Sequence, residues 1–256
     1  TRTMDDGYFR FTVPFTEKLE SGWHEYQVIC KLDEVNYGIV ENAELLKPYK
    51  SELSIISDID DTFLISHSGN IFKKLYVMLA RNVNKRKIFD DVAKHYAALS
   101  NSGHKEKGKS NSFFYVSSSE WNLYDFIVQF SKLQELPKAV IKLKDIKTGI
   151  SDFLTTGGGN HDHKFVKIKD IISFYPKQQY VLLGDDSQQD AYIYERICKI
   201  FPLNIKAVYL RQTKRSSKRK IADTLKNIER MQVATCYFRN SSEAISHSKK
   251  LGIIVN

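Results

Sequence analysis

The spacing of apolar positions changes character once along this chain, near residue 53. Upstream, "GYFRFTVPF" (7–15) and "GWHEYQVICKL" (22–32) alternate apolar and polar residues between Gly and Pro punctuation, the period-two mark of half-exposed antiparallel strands. Residues 1–52 are therefore expected to form a partial antiparallel β module. Downstream, short apolar runs recur: "LSIIS" (53–57), "FFYVS" (113–117), "AVIKL" (139–143), "YVLLG" (180–184), "AVYLR" (207–211) and "ATCYF" (234–238). Among them lie "WNLYDFIVQFSKL", "KFVKIKDIISFY" and "DAYIYERICKIF", with apolar residues at three- and four-residue intervals. Strands alternating with such helices predict parallel βαβ units, hence an α/β fold with a doubly wound parallel sheet over 53–256. From about 65 to 112, "IFKKLYVMLARNV" and "IFDDVAKHYAALS" read as a small helical insertion between the first two strands.

In a doubly wound sheet, ligands bind beyond the carboxyl ends of the strands. The residues following each strand are therefore the place to look for chemistry. Asp58, Asp60 and Asp61 follow the first strand in "SIISDIDDTFLIS" (54–66), and Ser117 ends the second in "FFYVSSSEW". Lys164 opens a helix after the Gly-rich loop of "TTGGGNHDHKFVKI", beyond the third strand. Asp185, Asp186 and Asp190 follow the fourth in "YVLLGDDSQQD". All four clusters are expected on one edge of the sheet. Gathered carboxylates repel one another and are costly to bury unless paired, so this edge calls for cations.

Charge agrees with an anionic partner. Lys and Arg number 39 against 30 Asp and Glu, a formal +9, which favours phosphates, nucleic acid or an acidic membrane surface. Cys30, Cys198 and Cys236 are too scattered to suggest a disulfide framework or zinc site. No apolar run reaches the roughly 18 residues that a membrane span needs. No secretory signal opens the chain at Thr1, which points to a cytoplasmic protein, although the chain begins without Met.

In order and placement, these clusters resemble the haloacid-dehalogenase-like phosphatase superfamily, whose motifs are DxDx(T/V), a strand-end Ser/Thr, a Lys, and an acidic GDxxxxD-like segment. More narrowly, "SDIDDT", "YVSSSEWNLYDF", "HKFVKIKDI", "GDDSQQDAYIY" and "VYLRQ" resemble the actin-patch-type phosphatidate phosphatase family and its bacterial relatives, over about 53–211. "DDGYFRF" and "GWHEYQV" are similar to the β module that precedes that catalytic domain. Glu120 stands where the family usually has Pro, Asp186 where it usually has Ser, and the family's Lys two residues after Thr62 is missing.

The resemblance implies a Mg²⁺-dependent phosphomonoester hydrolase. Asp58 would be the nucleophile that forms an aspartyl-phosphate, and Asp60 the general acid and base. Ser117 and Lys164 would hold the phosphoryl group. Asp58, the Asp60 backbone carbonyl and Asp185 would hold Mg²⁺, a cation that takes one or two carboxylates and leaves room for water and phosphate. Asp190 would orient Lys164 or a metal-bound water. Asp61 and Asp186 are supporting candidates, each either functional or a plain turn residue. Ser118, Asn122, His163 and Arg211 are candidate substrate contacts. Trp121 and Tyr124 are expected in the core, with a pocket role as the alternative.

With at most a small helical cap, the site is expected to be open enough for a large or membrane-embedded substrate. Phosphatidate, cleaved to diacylglycerol and phosphate at an anionic membrane surface, is the reading implied, with no nucleic acid as partner. "RNVNKRK" (81–87) and "KRSSKRK" (214–220) could draw the chain to such a surface. Two alternatives remain: the same chemistry on protein or nucleic-acid phosphomonoesters, and a non-catalytic module binding acidic membranes.

Overall fold

The structure, a computed structural model, describes residues 13–31, 37–49, 53–58, 83–104, 109–144, 162–186, 189–213 and 218–255. Asp60 and Asp61 lie outside the described residues, as does the first of the two expected insertion helices up to residue 82.

Two sheets form. The smaller is an antiparallel pair, β1 (Gly22–Lys31) and β2 (Tyr37–Lys47). The larger has six parallel strands: β3 (Leu53–Asp58), β4 (Ser112–Glu120), β5 (Ala139–Lys144), β6 (Gln179–Asp185), β7 (Ile205–Arg211) and β8 (Ala234–Phe238). Their spatial order is β5-β4-β3-β6-β7-β8. The helices are α1 (Val83–Asn101), α2 (Tyr124–Leu133), α3 (Asp162–Phe174), α4 (Asp190–Ile200), α5 (Lys218–Arg230) and α6 (Ser241–Lys250). The α/β class with a doubly wound parallel sheet is thus the one that the apolar runs predict.

Both faces of the sheet are covered, which is why the central strands read as unbroken apolar runs. Successive residues alternate between two cores. Ile55, Phe113, Tyr115, Val181, Leu183 and Tyr209 pack with Val92, Tyr96 and Leu99 of α1, Phe126, Ile127 and Phe130 of α2, and Ala244 of α6. Ile56, Phe114, Val116, Leu182, Val208 and Leu210 face the opposite way, onto Ile168 and Ile172 of α3, Ile193 and Ile197 of α4, and Ile221 and Leu225 of α5. The β1–β2 hairpin joins this second core through Trp23 and Leu46. Lys138 lies over the Trp23 ring and pairs with Glu44.

Strand order fixes where a ligand can enter. From β3 the chain steps outward to β4 and β5, then returns beside β3 as β6 and proceeds the other way. Helices after β3 and β6 therefore diverge to opposite faces and leave a crevice beyond the two carboxyl ends, the usual binding place in such sheets. Asp58 and Asp185 are the last residues of those two strands.

Candidate active site

Pairing of Ser57 with Leu183 sets Asp58 beside the Gly184–Asp185 end of β6. Asp58, Ser117, Lys164, Asp185 and Asp190 are all buried. Lys164, in the first turn of α3, is a buried lysine tolerated only because it is paired. Its Nζ lies 2.8 Å from Asp58 Oδ1 and 2.9 Å from Asp190 Oδ1. Asp190 is the first residue of α4, and its second oxygen accepts the Asp185 amide at 3.4 Å. One ammonium thus ties the carboxyl end of β3 to the start of α4.

Gly184 makes this approach possible. A Cβ at that position would stand 2.5 Å from Asp190 Oδ2 and 2.9 Å from the Tyr194 hydroxyl, which itself donates to the Leu183 carbonyl at 2.7 Å. On the other flank, Val116 pairs with Lys142 but Glu120 pairs with Lys144, so β4 carries extra residues between them. Such a bulge re-aims side chains beside active sites. Ser117 lies in it, buried, its Oγ accepting the Ser119 amide at 2.8 Å.

The remaining candidates fall in several places. Asp186 turns to the outer strands: its oxygens accept from the Thr213 amide at 2.7 Å and from the Thr213 and Tyr237 hydroxyls. It braces the ends of β6, β7 and β8. Arg211 reaches toward α6, donating from Nη1 to the Arg239 carbonyl at 3.3 Å and from Nη2 to Ser241 Oγ at 2.6 Å, with its guanidinium over the Phe238 ring. Burial lowers the pKa of that guanidinium, and Tyr96, Asp91 and Asp185 act in the opposite sense. Ser118 and His163 are half-buried beside Ser117 and Lys164, while the Asn122 side chain is outside the description. Tyr124 corrects an expectation: it is 40% exposed rather than in the core, because it opens α2 at the end where the helix leaves the sheet. Trp121 is partly buried against the first core and stacks tilted on Tyr124.

A group beneath the crevice carried no local signal in the sequence. Tyr96 of α1 is buried, its hydroxyl 2.5 Å from Ser57 Oγ, and Ser57 Oγ in turn donates to the Asp58 carbonyl at 2.9 Å. Burial pushes the Tyr96 phenol far above the usual tyrosine range, with the Ser57 hydrogen bond acting the other way. His95 lies in the same layer among Tyr96, Tyr209 and Phe238. Burial and then the Arg211 charge lower its pKa to about 4, partly offset by Asp91.

Among the described residues, no group of three or more His, Cys, Asp or Glu forms a metal site. The donor set still suits Mg²⁺: Asp58 and Asp185 end adjacent strands as buried carboxylates, and this ion uses one or two carboxylates and completes its shell with water and phosphate oxygens. Among the described residues, Asp58, Asp185 and Asp190 face the Lys164 ammonium, with the Arg211 charge acting on Asp185. A phosphate dianion would meet repulsion of about 4 kcal/mol per unit charge pair at 4 Å and an effective dielectric of 20. The residues present therefore fit a divalent cation.

Comparison with known proteins places the chain in a family. Residues 53–212 match the family described as "Phosphatidate phosphatase APP1, catalytic domain". "Phosphatidate phosphatase APP1" of Saccharomyces cerevisiae is 27% identical over 175 residues, covering 66% of this chain and 27% of the yeast protein. The match thus spans about a quarter of that relative's own length. No solved structure matches.

Proposed function

Because the chain belongs to the family of phosphatidate phosphatase APP1 catalytic domains, we propose that it hydrolyses the phosphomonoester of phosphatidate to diacylglycerol and phosphate. The observation that carries this reading is the Lys164 ammonium held between Asp58 and Asp190, next to Asp185 at the mouth of the β3–β6 crevice.

The chemistry follows from charge. The Asp58 carboxylate attacks phosphorus, and a covalent aspartyl-phosphate divides one difficult displacement into two easier ones. Lys164 orients the Asp58 carboxylate through their 2.8 Å contact, and offers the incoming phosphoryl oxygens a fixed cation. Asp190 holds the Lys164 amine in place through its 2.9 Å contact. Ser117 Oγ, a hydroxyl that accepts the Ser119 amide, donates to a phosphoryl oxygen. Asp60 protonates the departing alkoxide and later takes a proton from water, a general acid–base role. Mg²⁺, when bound by Asp58, Asp185 and the Asp60 carbonyl, would neutralise charge on the phosphoryl oxygens.

The lipid itself would be met at an anionic membrane surface by a peripheral, cytoplasmic encounter. Among the described residues, no helix is long and apolar enough to cross a membrane. A purely membrane-binding role has no use for carboxylates whose burial costs several kcal/mol each.

The test is phosphate release, with Mg²⁺ present, from vesicles containing phosphatidate, a phosphopeptide and a 3′-phosphorylated DNA. The expected result is turnover on the vesicles, lost on adding chelator and lost in Asp58→Asn while the fold persists. Preference for the peptide or the DNA would overturn the lipid assignment. Full activity in Asp58→Asn would overturn the nucleophile.

A further inference from the structure

We propose that Tyr96 is a positioning residue for the nucleophile, acting through Ser57 on the backbone of Asp58; this rests on the reading of Asp58 given above. The direction of the hydrogen bonds follows from counting protons. Ser57 has one hydroxyl proton, and it is donated to the Asp58 carbonyl at 2.9 Å. The 2.5 Å contact between the two hydroxyls is then a donation from Tyr96. The chain Tyr96 O–H → Ser57 Oγ–H → Asp58 C=O therefore runs one way.

This chain acts at the carboxyl end of β3. Ser57 pairs with Tyr115 of β4 and Leu183 of β6, and Asp58 with Val116 of β4. Asp58 is the last residue of β3, and a side-chain bond from Ser57 to its carbonyl lasts only while that side chain is itself held. Tyr96 supplies the hold.

Its helix is clamped in turn. Asp91, just over one turn earlier on α1, accepts the Ser241 amide at 2.7 Å, and Arg211 of β7 donates to the Ser241 hydroxyl at 2.6 Å. Helix α1, strand β7 and helix α6 thus meet at Ser241 and give the phenol a fixed footing. Arg211 and Asp91 support the site from behind.

The experiment compares Tyr96→Phe, Ser57→Ala and the double variant with wild type. Tyr180→Phe serves as a control: its hydroxyl is also buried but bonds the Ile171 and Tyr175 carbonyls, away from the crevice. Misplacement of a reacting group by an ångström can cost about a hundredfold in rate. Tyr96→Phe is expected to lower kcat by roughly ten- to a hundredfold with KM unchanged. The double variant should be no slower than Ser57→Ala, since both act in one chain. Tyr180→Phe should lose stability and keep kcat.

Amide exchange provides a readout that does not need activity. Exchange at 57–58 should speed up in Tyr96→Phe and Ser57→Ala, while 53–56 stays protected. An unchanged kcat in Tyr96→Phe, additive effects in the double variant, or unchanged exchange at 57–58 would overturn the proposal. A wild-type protein without hydrolytic activity would sink the phosphatase reading, and the exchange result would still decide whether Tyr96 orders this backbone. Should Tyr96→Phe fail to fold, Ser57→Ala alone decides on the same readouts.

Discussion

His95 makes the fold's response to acid a sharp prediction. The ring is buried among Tyr96, Tyr209 and Phe238, with ring centroids 6.3, 5.7 and 6.2 Å away. Among the described residues, its Nε2 has no hydrogen-bond partner. Burial, then the nearby Arg211 charge, hold its pKa at about 4 against 6.5 for an ordinary histidine. The folded protein therefore keeps this ring neutral where the unfolded chain protonates it. Below the unfolded value the unfolded state binds the extra proton, so stability falls as pH drops from 6.5 toward 4 and is fully present above that window.

Linking those two values, folding should weaken by about 2 kcal/mol between pH 7.5 and pH 5 from this group alone. Replacing it by Phe retains the edge-on aromatic contacts and removes the proton site. Urea unfolding of wild type and His95→Phe at both pH values isolates the effect, because the acidic groups are common to both proteins. The wild type should lose about 2 kcal/mol more than the variant on acidification. Parallel pH profiles would refute the claim that the ring is buried neutral.

Two further outcomes probe the crevice directly. Gly184→Ala must displace Asp190 Oδ2 or the Tyr194 hydroxyl; overpacking of this kind costs about 1–3 kcal/mol. Hydrolysis should fall with it, and an unaltered urea midpoint with normal phosphate release would refute the close approach. Lys164→Met leaves Asp58 and Asp190 buried without their shared cation, a loss of about 3–5 kcal/mol. The variant should be inactive and destabilised at neutral pH, and a midpoint equal to wild type would show that the amine does not compensate those acids.

Much of this architecture is legible in the chain because the physics is local. Each core strand is a short run buried on both faces, so β3, β4, β6 and β7 announce themselves without knowledge of their neighbours. Acids, a serine and a lysine just past strand ends are equally visible, since connectivity alone sends those ends to one edge. What escapes is whatever depends on long-range register. The bulge in β4 places Ser117 inside a continuing strand rather than at its end. Asp186 follows a motif aspartate yet serves Thr213 and Tyr237, partners 27 and 51 residues away. Tyr124 has helical apolar spacing but stands at an open helix start. Tyr96 is 39 residues from the serine it touches, and nothing in "KHYAAL" marks it out from any other core tyrosine.

The strand order has one more consequence, for how the molecule comes apart. Sheets loosen from their margins, and here the margins are β5 and β8. The strands bearing Asp58 and Asp185 are neighbours in the middle, each flanked on both sides. Their amides should thus be among the slowest to trade hydrogen with solvent, and the reactive acids stay in register while the outer strands open and close.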